Sequence, residues 1–550
     1  MAKKKTDKKK VNGKNATHRL EAMQKAALKE LQMLVDARYP LIYVVSHEEN
    51  RVIELINTLC EEEKNEKVLS IWAISQGLYG FREMGRFTSD DETTPPPGVL
   101  TKILKRTKND IPALFVLLDF HVYMENATVV RMLRDCASLL MNRNCSVIII
   151  APELKVPREL EKVIQVIDWP LPAPDEMRAI VEGLAKSNAK NTRVDLKDTD
   201  FVDGILGSLQ GLTYDEAENI LSKSLIKKKT YDINVITSEK QQIIRKGGFL
   251  EYYSADFTMN DLGGVGILKE WIHVRKSFFT KKAQEFGIPF PKGMLLIGIP
   301  GCGKSLACKI MANAWQMPLL KFDIGKVFQS LIGSSEGNIR SVVKLAEAIA
   351  PCVLWLDEVD KSFQGIKSSG MTDSGVTARV FGTLITWLQE KTSPVFVAMT
   401  ANDVTQLTST IPEITRKGRL DEIFFINLPN HTEREQIFKI HLAKARELHA
   451  GRDPSKFDIR LLAQKAKQLS GAEIEGAVVN GLGLAFTEGK KLTMEHLLNG
   501  IADTQPIIRT AAPQMKQLIQ FAEDGRAKWA SKQDDDDSDI GPGKRIVGYD

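Results

Sequence analysis

The sequence predicts an α/β protein built twice on one plan, a parallel sheet flanked by helices and then a helical segment. Three observations carry this. Short apolar runs alternate with helical patterns in both halves. A glycine-rich loop ending in Lys and Ser joins one such run to a helix. A later run ends in two acids. Apolar runs of strand length between helices suit a parallel sheet covered on both faces.

In the first half the candidate strands are 40–45, 68–74, 113–119 and 146–151, and helical sequence follows from about 174 to 228. In the second half they are 293–297, 319–323, 352–357, 395–400 and 423–428, with helical sequence from 432 to about 502. A short echo links the halves. Ser208-Leu209-Gln210-Gly211 leads to Asp215 and Ala217, and Gln468-Leu469-Ser470-Gly471 leads to Glu475 and Ala477. The matching order of elements favours a duplicated sheet-plus-lid unit over a chance match.

Composition narrows the function classes. The chain has 550 residues, 43% apolar and 26% charged, which are globular values. That excludes a mainly disordered, collagen-like or disulfide-scaffold protein. No run approaches the ~18 apolar residues of a membrane helix. The net charge is +5, but residues 1–14 alone hold seven Lys and one Asp, so the rest carries −1. A near-neutral body gives no general argument for nucleic acid. The lysine-rich start, 1–24, lacks the apolar run of a secretory signal and is expected to be a solvated tail. Asp534 to Asp537 and Asp539 form an acidic tail, also expected to be disordered. Cys60, Cys136, Cys145, Cys302, Cys308 and Cys352 form no CxxC pair. Zinc and disulfides are not indicated, and a reducing, cytoplasmic compartment is.

The chemistry concentrates in the second half. Gly298-Ile299-Pro300-Gly301-Cys302-Gly303-Lys304-Ser305 fits G-x-x-x-x-G-K-[ST], with a candidate strand before it and a helical run, beginning at Leu306, after it. Glycines let backbone N–H groups curl around phosphate oxygens, and the helix N-terminus adds partial positive charge. Lys304 would reach the β- and γ-phosphates, and Ser305 would offer its hydroxyl to Mg²⁺. A plain glycine-rich turn would not need both flanks. The run Val353-Leu354-Trp355-Leu356 ends in Asp357-Glu358. Its carboxylates should emerge at the carboxyl edge of the sheet, where ligands sit in doubly wound folds. Asp357 is placed to hold the metal and Glu358 to polarise an attacking water. Asn402, after the next strand, could orient that water. Arg416 and Arg419 suit phosphate recognition, because guanidinium is planar, always charged and bidentate. In a loop they count only if a neighbouring site comes within reach. Cys302 lies near a helix N-terminus, which tends to lower a thiol pKa and invites oxidation. The plainer and preferred reading is a small residue that fits.

These motifs, in this order and spacing, resemble an AAA-type P-loop ATPase from about Asp261 to Ala502. Asp261-Leu262-Gly263-Gly264 resembles the segment lining that family's adenine pocket. Gly298 to Ser305 matches Walker A, and Leu354 to Glu358 matches Walker B. Asn402 falls at sensor 1, and Arg416 and Arg419 at the paired arginine fingers. Ser470-Gly471-Ala472-Glu473 resembles the sensor-2 region of the lid. The resemblance implies an ATPase core at 255–430 and a helical lid at 431–505, followed by a C-terminal extension at 506–550. It implies ATP and Mg²⁺ as cofactors, with Gly471 and Ala472 beside the nucleotide. It also implies a homo-oligomeric ring, often a hexamer, in which a neighbour's arginines complete each site. From about 25 to 505 the chain resembles an uncharacterised AAA ATPase reading frame of cyanobacteria and plastid genomes, so a plastid stroma is an alternative location. One departure concerns the loop facing the ring pore, which usually carries an aromatic residue. Leu331 takes that place, which weakens the case for threading a polypeptide.

The first half, 25–245, then reads as a degenerate, nucleotide-free AAA-like domain. Ser46-His47-Glu48-Glu49-Asn50-Arg51 follows its first strand with no glycine loop and no Lys, and its acids would repel phosphate. Asp119-Phe120 follows its third strand, with no acid at the second place. An unrelated α/β adaptor domain is the alternative. His121 beside Asp119 is more simply a hydrogen-bonded residue than a metal ligand or base. Three functions follow. The first is ATP hydrolysis coupled to remodelling of a protein partner. The second is an ATP-gated scaffold with slow turnover. The third, a nucleic-acid motor, has only the lysine tail behind it.

Overall fold

Leu41–Val45 (β1) is apolar at every position and has neighbours on both sides, so its alternate residues enter two different cores. Leu41 and Tyr43 face one, Ile42 and Val44 the other. The inner strands of both sheets repeat this pattern in the computed structural model of the chain. The structure describes residues 25–61, 67–84, 90–107, 111–141, 143–188, 193–246, 248–253, 257–329, 335–361, 372–404, 414, 416, 418–446 and 453–532. Leu331 and both charged tails lie outside them. The chain divides into two compact units, with the boundary at Lys240 and Gln241.

The first unit holds a six-stranded sheet of β1, Val68–Ala73 (β2), Gly77–Gly80 (β3), Ala113–Leu118 (β4), Cys145–Ala151 (β5) and Ile164–Asp168 (β6). Its order is β3-β2-β4-β5-β1-β6, parallel except for β3 against β2. Helix Glu49–Glu61 (α1) follows β1, and Pro174–Ser187 (α2) and Tyr214–Lys228 (α3) belong to the helical segment.

The second unit holds seven strands: Leu250–Tyr253 (β7), Gly293–Gly298 (β8), Leu319–Phe322 (β9), Cys352–Leu356 (β10), Val395–Ala401 (β11), Glu422–Ile426 (β12) and Lys528–Trp529 (β13). The order is β13-β12-β8-β11-β10-β9-β7, parallel except for β7 against β9. From β6 to β3 the first sheet runs β6-β1-β5-β4-β2-β3. From β12 to β7 the second runs β12-β8-β11-β10-β9-β7. The five parallel strands come in the same chain order in both, last-first-fourth-third-second, while the antiparallel edge strand differs in origin: β3 follows β2 and β7 precedes β8. The structure adds β3, β6, β7 and β13 to the strands read from sequence, short edge strands that are only partly buried and so carry no continuous apolar run.

Helices Gly266–Lys276 (α4) and Lys304–Trp315 (α5) pack on one face of the second sheet, through Leu268, Ile272, Cys308 and Met311. His431–Arg446 (α6), Ile459–Lys465 (α7), Gly471–Thr487 (α8) and Met494–Ala502 (α9) form the lid around Phe438, Leu462, Val478 and Leu497. Ile508–Glu523 (α10) follows. The sequence echo aligns Gly211 with Gly471. The helix caps do not follow that register: Thr213 caps α3 and Ser470 caps α8, three residues away from the echo's alignment. Each cap is closed by Glu at the third helical position, Glu216 and Glu473.

Candidate functional site

β8 ends at Gly298 and turns into α5 through 299–303. Gly301 has φ +82°, and a Cβ there would lie 2.8 Å from Ser470 Oγ, so the loop can meet the lid only as glycine. Lys304 opens α5 and is buried. Its ammonium donates to the carbonyls of Gly298 and Ile299, 2.8 Å each. Burial holds its pKa down to about 8. Burial also pushes the Cys302 thiol up to about 12. That direction runs against the oxidation-prone thiolate and with the preferred reading of a small residue that fits, on a side chain that is half-buried at the cavity wall.

β10 delivers the two acids to the carboxyl edge of the sheet. Ser305 Oγ donates to Asp357 Oδ1 (2.9 Å), and Thr400 Oγ1 donates to the same oxygen (2.7 Å). The Glu358 N–H donates to Thr400 Oγ1 (2.8 Å), with Glu358 in the left-handed region at φ +49°. Asn402 Nδ2 donates to Glu358 Oε1 (3.2 Å), and Lys361 pairs with Oε2 (2.7 Å). Asp360 is buried, accepts from the Asp403 N–H (3.1 Å), and has its carboxyl pushed up by burial. It anchors the loop that carries Asn402. Among the described residues no group of three His, Cys, Asp or Glu could hold a metal unaided. A hydroxyl beside a carboxylate is what Mg²⁺ needs when phosphate and water supply its other ligands, so Ser305 and Asp357 fit that ion.

At the other end, residues 261–265 are clamped to α6. The Gly264 N–H donates to Gln436 Oε1 (2.9 Å) and the Val265 N–H to Glu433 Oε1 (2.8 Å). At Gly264, with φ +73°, a Cβ would lie 2.5 Å from Glu433 Oε1. The Asp261 carboxylate accepts from the N–H and hydroxyl of Thr258, 2.8 Å each. The Ala472 N–H at the start of α8 donates to Gly301 O (3.0 Å).

These parts line one cavity of about 450 Å³, within the range of small-ligand sites. It gathers Asp261, Leu262, Gly263, Pro300, Gly301, Cys302, Gly303, Lys304, Ser305, Leu306, Glu358, Asn402, Gly471 and Ala472. Asp357 joins through Ser305, and Gly298 and Ile299 through Lys304. Thr400, Glu433, Ile437, His441 and Ser531 also line it and were not found from sequence. Glu433, Ile437 and His441 form one i, i+4, i+8 stripe along α6, a spacing that reads equally as a packing face, while Thr400 comes from β11 and Ser531 from just beyond β13. Arg416 and Arg419 stand elsewhere. β12 pairs with β8 from Glu422 opposite Met294 to Ile426 opposite Gly298. Both arginines precede that strand, so about 13 Å of strand at ~3.3 Å per residue, plus the loop, separates them from the phosphate-loop end. Lys292 Nζ donates to Gly418 O (2.9 Å), which fixes the loop at the entrance of β8.

The corresponding turn of the first unit carries different chemistry. Glu48 and Arg51 are buried and paired, and Arg51 also bonds Glu176 through Nε (3.2 Å) and Nη2 (2.9 Å) and Pro170 O through Nη1 (2.9 Å). Glu48 Oε1 accepts from the Tyr214 N–H at the start of α3 (2.6 Å). The alignment at the third strand shifts by one residue from that read in the sequence. The Asp119 N–H donates to Ile150 O (3.0 Å), and Asp119 has φ +50°, like Glu358. By strand register and backbone conformation Asp119 matches Glu358, and Leu118 stands where the second unit has Asp357.

The AAA family profile, ATPases associated with various cellular activities, matches residues 294–428. Profiles of SpoVK-like AAA ATPases match 27–169 as their N-terminal domain and 175–247 as their second domain. A relative from Guillardia theta, named uncharacterized AAA domain-containing protein ycf46, is 36% identical over 92% of this chain and 96% of its own length. One of the same name from Pyropia yezoensis is 37% identical over 91% and 99%. Glycine loop, acid-tipped strand, lid and relatives agree: the chain belongs to the AAA family of P-loop ATPases, on the branch named ycf46.

Proposed function

We propose that the chain is a Mg²⁺-dependent ATPase that works as a homo-oligomeric ring, a hexamer by family resemblance, to remodel a protein partner. The observation that carries the hydrolysis is the convergence of Lys304, Ser305–Asp357 and Glu358–Asn402 on one cavity. Lys304 and the loop amides hold the β- and γ-phosphates. Ser305 and Asp357 hold Mg²⁺, which when bound neutralises charge on the transferring phosphate. Glu358 takes hydrogen-bonding hold of the attacking water, and Asn402 orients that carboxylate. The ring reading is supported by Arg416 and Arg419, which sit at the far end of the sheet from their own Lys304. From there they suit a neighbour's γ-phosphate.

The first unit, 25–245, is proposed as a nucleotide-free AAA-like domain. The Glu48 carboxylate supports this, since it occupies the turn that phosphate would need. No helix among the described residues is long and apolar enough to cross a membrane. The six cysteines, all free, suit a reducing cytoplasm or stroma. Glu358→Gln tests the hydrolysis. It should bind Mg-ATP as the parent does and lose turnover, and it should hold its partner long enough for capture. Parental turnover in that variant would remove Glu358 from the mechanism.

A further inference from the structure

After α9 the chain leaves the lid and returns along the rim of the nucleotide cavity. The Ile507 N–H donates to Glu473 Oε1 in the cap of α8 (2.5 Å). α10 then packs Ile508 and Met515 against Ile299 of the phosphate loop, with Cys302 on the edge of the same cluster. Beyond α10, Lys528 and Trp529 of β13 pair with Phe424 and Phe425 of β12. Ala530 stitches the end down. Its N–H donates to Phe425 O (2.9 Å), and its carbonyl accepts from the N–H groups of Ile267 (3.0 Å) and Leu268 (3.1 Å) in α4. The next residue, Ser531, lines the cavity and donates its hydroxyl to Glu433 Oε1 (2.6 Å). Asn430 Nδ2 donates to Lys532 O (3.3 Å).

Glu433 is the pivot of this end. It is buried, and the oxygen that accepts from Ser531 also accepts from the Val265 N–H (2.8 Å). Its other oxygen accepts from the Asn430 N–H (3.1 Å). Val265 is a β-branched residue in the left-handed region at φ +50°, a conformation that surrounding bonds must impose. The bond from its amide to Glu433 is one of them. Glu433 thus shapes the loop 261–265, and Ser531 fixes Glu433.

We propose that residues 507–532 form a strap that is a working part of the nucleotide site, with Ser531 a positioning residue for its base end. This rests on the ATP-site reading above. Ser531 acts through Glu433 on the loop that meets the base, and the triphosphate tail is held elsewhere, by the phosphate loop. Losing its hydroxyl should therefore weaken a ligand that carries a base and spare one that is only phosphate.

The test measures Mg-ADP and tripolyphosphate binding to the full chain by calorimetry, beside the melting temperature. Ser531→Ala should raise the Kd for Mg-ADP roughly fivefold, the net effect of one ordinary hydrogen bond lost. Tripolyphosphate affinity should stay at the parental value. Ser531→Thr, which keeps the hydroxyl, should restore Mg-ADP affinity. Unchanged Mg-ADP affinity in Ser531→Ala overturns the proposal. So does an equal loss for both ligands with a lowered melting temperature, which would mark a general folding defect. A parent that binds no Mg-ADP overturns the ATP-site reading and the strap with it.

Discussion

Where β8 hands over to α5, the helix N-terminus meets a loop of glycines and the Lys304 ammonium. Where β1 hands over to α1, it meets the carboxylate of Glu48, already satisfied by Arg51 and the Tyr214 N–H. The two turns occupy the same place in sheets whose five parallel strands share one order. Both also meet a backbone N–H at the start of a lid helix. In the second unit Gly301 O accepts from Ala472, and in the first Glu48 Oε1 accepts from Tyr214. One scaffold thus presents a cationic cradle in one unit and its own buried anion in the other. Two further replacements run the same way: Leu118 stands in the register of Asp357, and Pro152 follows Ala151 where Asn402 follows Ala401. Strand order alone therefore says little about ligands. The charge placed at the strand ends decides.

The comparison can be broken at several points. Arg419→Ala should carry the largest effect. A finger at the transferring phosphate is worth ~10³–10⁵ in rate, so turnover should collapse while nucleotide binding persists. Mixing is the sharper form. Lys304→Ala subunits keep intact arginines, and Arg419→Ala subunits keep an intact cavity, so co-assembled mixtures should regain activity. Full turnover in Arg419→Ala, or inactive mixed assemblies, would break the ring reading.

Next comes Arg51→Ala, which leaves Glu48 and Glu176 without their cation. Removing one partner of a buried ion pair costs about 3–5 kcal/mol. Denaturant unfolding of the first unit should move by that much, with Mg-ADP affinity of the full chain unchanged. An unmoved transition would mean the buried cluster does not hold that unit together.

A smaller effect is a pH dependence belonging to the second unit. The ligand-free Lys304 has its pKa lowered to about 8, so it is half deprotonated near that pH and mostly neutral above it. A bound polyphosphate favours the ammonium and raises the pKa. Apparent Mg-ADP affinity should then fall as pH rises past 8, by at most about tenfold per unit, with proton uptake on binding. Lys304→Met should bind weakly and without that slope. A slope retained in Lys304→Met would assign it to another group.

The buried inner strands and the phosphate loop were legible because their signals are local, whereas the edge strands β3, β6 and β7 and the two-residue β13 carry no such run. A run such as Val353-Leu354-Trp355-Leu356 is buried on both faces wherever it sits in a parallel sheet. The glycine loop with its flanking strand and helix leaves few alternatives. What stayed hidden depends on tertiary contact. Thr400 bridges Asp357 and Glu358 only because β10 and β11 are neighbours. Glu433 and Ser531 meet across 98 residues of chain. For Cys302 the sequence left a reactive thiolate open beside the preferred reading of a small residue that fits, because the helix N-terminus is visible in sequence and burial is not. The one-residue shift at Asp119 follows from strand register and a left-handed backbone, neither of which composition reports.

The most direct test is the number of nucleotides each chain binds. Calorimetric titration of the full chain with Mg-ADP should give one site per chain, and Lys304→Ala should give none. Two sites per chain, or one site surviving in Lys304→Ala, would contradict the division into a binding half and a half that fills its own turn with Glu48.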